Sequence, residues 1–166
     1  MKFQGILVSL LLVFAAPVFA QNTLAPVTDF GKKGAPVSAD CQQEMSVFVK
    51  LASVYPHPKS GWKFYIVCDE STWKEFMQQS FFSTDGMEHY GETDIDKGVT
   101  MIRGWKLIHP DLGVTPDHIV AHELAHIMLH SRDERKVDAQ AYMWIQQQER
   151  RPGSLVAATH VNANTH

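Results

Sequence analysis

Apolar and polar residues follow two different periods along the chain. Between residues 40 and 54 apolar positions recur at helical spacing, which predicts a helix. Residues 62–67 alternate and are rich in aromatic and β-branched types, which predicts a strand. We also expect a short capped helix over 71–77 and a loop over the polar stretch 83–96. A second strand, Val99–Arg103, is placed at an edge of the sheet.

Two longer helices are predicted in the second half of the chain. Thr115 is suited to a helix N-cap and Pro116 to the first helical position, so the first helix should run from there to about His130. The second is expected from near Asp133 to Gln148. The order helix, strand, helix, strand, helix, helix predicts a small α+β domain over residues 40–150.

The two ends of the chain differ from this domain. A basic start, an apolar run over 5–16 and small residues up to Ala20 predict a signal peptide over 1–20 that is cleaved after Ala20. We therefore expect a secreted or periplasmic protein, and the run is too short for a comfortable membrane anchor. Residues 21–39 are interpreted as a flexible lead-in, with a role as a pro-segment left open, and 151–166 as a disordered tail.

Composition excludes some functions. The 166 residues favour one domain, and a net charge of −3 with scattered Lys and Arg argues against nucleic-acid binding. Outside the cytosol, Cys41 and Cys68 can form a disulfide, which would stabilise the fold by about 3 kcal/mol. The alternative is two buried thiols. With no third cysteine, a thiolate zinc site is not expected.

The candidate chemistry lies in the helix after Thr115. His122 and His126 are four residues apart, so both imidazoles project from one helix face and can bind one zinc ion. Glu123 lies beside them and can reach a water on the metal, whose proton it would accept as a general base. The other positions of this segment are apolar, as a buried helix requires.

The third ligand is predicted from the next helix. If that helix folds back, Glu134 can bind zinc while Asp138 accepts a hydrogen bond from a ligand imidazole. Two alternatives stay open: Asp138 could be the ligand instead, or Ser131 and Glu134 could form a capping box without metal. His118 and His130 extend the four-residue series and are interpreted as solvated or supporting residues, with His130 a minor ligand alternative.

These residues resemble a known class of enzymes. The run His-Glu-Leu-Ala-His-Ile-Met-Leu-His, followed by Glu-Arg-Lys-Val-Asp-Ala-Gln-Ala, is similar to the zincin metallopeptidases of the gluzincin type, closest to ImmA/IrrE-like peptidases and more loosely to the M48 group. The resemblance covers residues 99–143. It implies a zincin-like domain with a short sheet. It also implies that the zinc ligands are His122, His126 and Glu134, that Glu123 is the base, and that Asp138 supports a ligand imidazole by a hydrogen bond.

The function we expect is that of an exported zinc metallopeptidase acting on a peptide or protein substrate. The resemblance also implies that Val99–Arg103 runs along the substrate. One alternative is a zinc-stabilised binding domain without catalysis, and another is a zinc hydrolase of a non-peptide amide or ester. An oxyanion donor is also needed. By residue type the candidates are Arg103, His89, Tyr90, His109 and Tyr142, and none is singled out.

Overall fold

The computed structural model describes residues 27–29, 39–81 and 89–151, and its fold is mixed α+β, as predicted. The predicted signal peptide and nearly all of the predicted tail lie outside these residues. In chain order the elements are β1 (Val27–Asp29), α1 (Ala39–Ala52), β2 (Lys63–Val67), α2 (Glu70–Phe81), β3 (Gly91–Asp94), β4 (Val99–Arg103), α3 (Trp105–Ile108), α4 (Pro116–Leu129) and α5 (Glu134–Glu149).

The four strands form one sheet in the order β1-β2-β4-β3. β1, β2 and β4 are parallel, whereas β3 pairs antiparallel with β4. The prediction that β4 lies at an edge is therefore wrong, because its backbone is hydrogen-bonded on both sides. Among the described residues the edges are β1 and β3.

Three short elements were not predicted. β1 lies inside the expected lead-in, β3 inside the expected loop, and α3 directly after β4. β3 reads Gly-Glu-Thr-Asp, which has neither the β-branched run nor the alternation typical of a strand. Its pairing with β4 is what makes it extended.

The sheet separates two apolar clusters. Phe64, Ile66 and Ile102 point to the larger one, which α1, α4 and α5 complete. Val67 and Met101 point the other way, to a smaller cluster under α2. This alternation follows from the strand period of two, and it places Thr100 on the same face of the sheet as α4.

A disulfide joins Cys41 of α1 to Cys68, directly after β2, with Cα atoms 5.2 Å apart. This confirms the predicted pair, and the separation is normal for the bond. Such bonds persist outside the reducing cytosol. Within the described ranges, none of the helices has the length and apolar character needed to cross a membrane.

Candidate metal centre

Both ends of α4 are fixed by local interactions. At its start the Thr115 hydroxyl accepts a hydrogen bond from the His118 backbone N–H at 3.2 Å, and Pro116 takes the first helical position, as predicted. At its end His130 adopts left-handed backbone angles (φ 48°). Between these ends, Val120 and Leu124 are fully buried and hold one side of the helix against the core.

The chain reverses directly after α4. Asp133 is the N-cap of α5 and accepts a hydrogen bond from the Lys136 backbone N–H. The Ser131 hydroxyl instead accepts from the Asp133 N–H at 3.1 Å. The alternative of a Ser131–Glu134 capping box is therefore wrong, and the Glu134 side chain is directed to α4.

The two helices pair a row of side chains from each. Glu134 lies against His122 and His126, and Asp138 lies against His118 and His122. Each row has the four-residue spacing that places side chains on one helix face. The reversal therefore brings both predicted acids of α5 to the predicted histidines of α4.

The donor atoms of the predicted ligands converge. His122 Nε2 lies 3.1 Å from His126 Nε2 and 3.2 Å from a Glu134 carboxylate oxygen, and His126 Nε2 lies 3.7 Å from the other oxygen. Ligands about 2.0–2.1 Å from a tetrahedral zinc ion are separated by about 3.3–3.4 Å. The three residues are thus close enough to share one metal ion, and they form one of the potential metal-binding groups of the described residues.

The tautomers of the two rings point to a cation. His126 Nδ1 lies 2.8 Å from the Ser131 carbonyl oxygen, which only accepts, so Nδ1 carries the proton. His122 Nδ1 lies 2.8 Å from an Asp138 carboxylate oxygen and likewise donates. With both rings neutral, the two Nε2 atoms present lone pairs to each other at 3.1 Å, an arrangement that is repulsive unless a metal ion or a proton lies between them.

Glu123 is placed differently from the ligands. Its side chain is buried, and one carboxylate oxygen, Oε2, accepts a hydrogen bond from the Thr93 hydroxyl at 2.6 Å. Burial raises the pKa of Glu123 to about 8, while the Thr93 hydrogen bond acts in the opposite direction. The other oxygen, Oε1, lies against Gly91, where a Cβ would come within 2.5 Å.

A cavity of about 550 Å³ opens over these groups. Its walls come from β3, α4 and α5, and they include Gly91, Thr93, Glu123 and Glu134. The strand beside the candidate site is therefore β3, an edge strand. The implied placement of β4 along a substrate is wrong, because the backbone of β4 is already paired on both sides.

The five candidates for the oxyanion donor differ in whether they line the cavity. His89 and Tyr90 line the cavity, and the Tyr90 hydroxyl donates to Asp111. Arg103 is paired with Glu70 of α2, which lies across the sheet from α4. The His109 ring packs at a tilt against the Trp105 ring, outside the cavity lining. The Tyr142 ring packs at a tilt against the His118 ring, and Tyr142 is not among the lining residues either.

The two remaining histidines of the series are not among the converging Nε2 donors. His118 lies 3.7 Å from Asp138, on the Nδ1 side of His122, and burial lowers its pKa. His130 is exposed and ends the helix. The interpretation of both as supporting or solvated residues stays a prediction, and His118 also forms a potential metal-binding group with His122 and Asp138.

Gly91 and Thr93 are site residues that the sequence did not indicate. They lie in a polar stretch expected to be a loop, and they meet Glu123 only through the pairing of β3 with β4. Comparison of the chain with protein-family models, curated proteins and solved structures finds no match to any of them.

Proposed function

We propose that this protein is a zinc-dependent peptidase, exported by the signal peptide predicted over residues 1–20, with His122, His126 and Glu134 as the metal ligands. The observation that carries the proposal is the 3.1 Å separation of the two Nε2 atoms, with a Glu134 carboxylate oxygen 3.2 Å from one of them. Both imidazoles are held by their outer nitrogens, an arrangement typical of metal-ligating histidines.

The residues around the metal position have separate roles in this proposal. A bound zinc ion would polarise a substrate carbonyl and acidify a water. Glu123 would accept the proton of that water and pass it to the leaving nitrogen, as a general base and then a general acid. Its buried position in the cavity wall limits competition from solvent.

The edge strand β3 supports a peptide as the substrate. It lines the cavity with Gly91, Glu92 and Thr93, and no other described strand pairs with its outer side. An extended peptide can add to such an edge through backbone hydrogen bonds, which places its bonds beside the metal ligands. The same geometry gives a small ester no comparable anchor.

The direct test compares the purified protein with its Glu123→Gln variant on fluorescein-labelled casein, with zinc and with a chelator. We expect cleavage by the zinc-loaded protein, no cleavage after chelation, and a loss of at least about 100-fold in the variant. Zinc content of the variant should equal that of the wild type, because Glu123 is not a ligand.

The other outcomes of this test would support a different function or a different role for Glu123. Zinc binding without cleavage of casein or of amide and ester panels would favour a zinc-stabilised binding domain. Cleavage of small amides or esters alone would favour a non-peptide hydrolase. Equal casein cleavage by the Glu123→Gln variant would contradict the role given to Glu123.

A further inference from the structure

A series of side-chain hydrogen bonds runs from strand to strand along one face of the sheet and ends on Glu123. The Trp62 indole Nε1 lies 2.9 Å from Thr100 Oγ1, which lies 2.9 Å from Thr93 Oγ1, and Thr93 Oγ1 lies 2.6 Å from Glu123 Oε2. Thr93 and Thr100 are directly opposite each other in the β3–β4 pair, which brings their hydroxyls together. The series thus connects the start of β2 to α4 through two strands.

In the ionised form of Glu123, which is the form that acts as a base, the direction of this series of hydrogen bonds follows from counting donors. The indole N–H can only donate, so Thr100 Oγ1 accepts from Trp62. When Glu123 is ionised its carboxylate only accepts, so the single hydroxyl proton of Thr93 goes to Oε2. Thr93 then has no proton for Thr100, and the Thr100 proton must go to Thr93.

We propose that Thr93 is the positioning residue for Glu123, and that Trp62 and Thr100 orient its hydroxyl. The hydrogen bond fixes Oε2 and leaves Oε1 as the oxygen that exchanges protons in the cavity. Gly91 completes the arrangement because it leaves room for Oε1. The proposal rests on the function given to Glu123 above, and it adds which oxygen acts and what holds the other.

The burial of this series of hydrogen bonds gives it a fixed geometry. Thr100 is fully buried and Trp62 is partly buried against the main core. A buried hydroxyl without a partner is costly, so Thr100 keeps both of its hydrogen bonds. Thr93 Oγ1 therefore lies between Thr100 and Glu123, and a rotation of the Thr93 side chain that moved this oxygen away would leave the Thr100 proton unpaired.

The test uses Thr93→Val, Thr93→Ser and Trp62→Phe, with Thr72→Val as the matched control. Thr72 donates its hydroxyl to Asp69 near the start of α2, away from the cavity, so this control removes a threonine hydroxyl without touching the series of hydrogen bonds. The first readout is the carboxyl carbon-13 resonance of Glu123, assigned with Glu123→Gln and recorded on the zinc-loaded and on the chelator-treated protein. The second is kcat and KM for labelled casein.

We expect Thr93→Val to move the Glu123 resonance and to lower kcat by about 10- to 100-fold at similar KM, the effect of one hydrogen bond to a charged group. Thr93→Ser should restore both values, Trp62→Phe should shift both less in the same direction, and Thr72→Val should change neither. An unmoved Glu123 resonance in Thr93→Val, or failure of Thr93→Ser to restore it, would overturn the proposal.

The two readouts separate this inference from the proposed function. If the wild-type protein cleaves nothing, the proposed peptidase is wrong, while the resonance still reports whether Thr93 holds Glu123. If Thr93→Val does not fold, Trp62→Phe decides instead. This variant keeps the Thr93 hydroxyl and removes only the indole N–H, which orients that hydroxyl through Thr100. An unchanged resonance in Trp62→Phe would then count against the proposal.

Discussion

At the scale of single residues, the two ring nitrogens of each candidate ligand have different partners. The outer nitrogens of His122 and His126 donate to Asp138 and to the Ser131 carbonyl, which leaves the inner nitrogens free to bind a cation. The sequence could predict His122, Glu123 and His126 because helix geometry alone fixes their relative positions. It could not predict which proton each imidazole carries, since that depends on partners beyond the helix.

Gly91 offers a test at this scale. A Cβ at this position would lie 2.5 Å from Glu123 Oε1 and must displace the carboxylate. We expect Gly91→Ala to lower kcat for labelled casein by about 100-fold, because small displacements of a reacting group have effects of this size. The zinc content should stay that of the wild type. A Gly91→Ala variant with wild-type kcat would show that Glu123 does not need this space.

At the scale of elements, the site depends on α4 and α5 lying antiparallel with their four-residue rows in contact. Both helices could be predicted, because caps and apolar periods are local signals. The sequence also predicted Glu134 and Asp138, but left their roles open. β3 was missed for a physical reason: its glycine and three polar residues are extended only because β4 pairs with them.

The contact between Asp138 and His122 predicts an effect on metal affinity. We expect Asp138→Ala to weaken zinc binding by about 10- to 100-fold, because the His122 ring loses the group that orients it. The measurement is a competition titration against a chromogenic chelator. Complete loss of zinc in Asp138→Ala, with full binding in Glu134→Ala, would reverse the two roles.

Asp133→Ala is the control for this prediction. Asp133 caps α5 and lies outside the donor groups around His122. Its loss should lower the free energy of unfolding by about 1 kcal/mol. Zinc affinity should change less than in Asp138→Ala. An equal loss of affinity in both variants would mean that helix stability, rather than the imidazole contact, sets the affinity.

At the scale of the whole molecule, the sheet holds the two halves of the site together. α4 carries the histidines and Glu123, while β3 carries the residues that surround Glu123, and these come from distant parts of the chain. The α+β class could be read from the order of elements. The strand order could not, because it is decided by packing on both faces of the sheet.

The disulfide stabilises this arrangement by joining α1 to the residue that directly follows β2. Replacing Cys41 and Cys68 together by Ser should lower the free energy of unfolding by about 3 kcal/mol, because the unfolded chain regains the freedom of the closed loop. Denaturant unfolding measures the change. Zinc affinity at low temperature should be kept, since the two cysteines and the three proposed ligands belong to separate groups of the structure. Unchanged stability would show that the core alone holds α1 on the sheet.

The most direct measurement of the central claim is equilibrium zinc binding to the purified protein, with His126→Ala and His109→Ala as the paired variants. His126 is one of the converging donors, whereas His109 is an exposed histidine that does not line the cavity. We predict one zinc ion per chain in the wild type and in His109→Ala, and a loss of binding in His126→Ala. A wild-type protein that binds no zinc, or a His126→Ala variant that binds it equally well, would contradict the account.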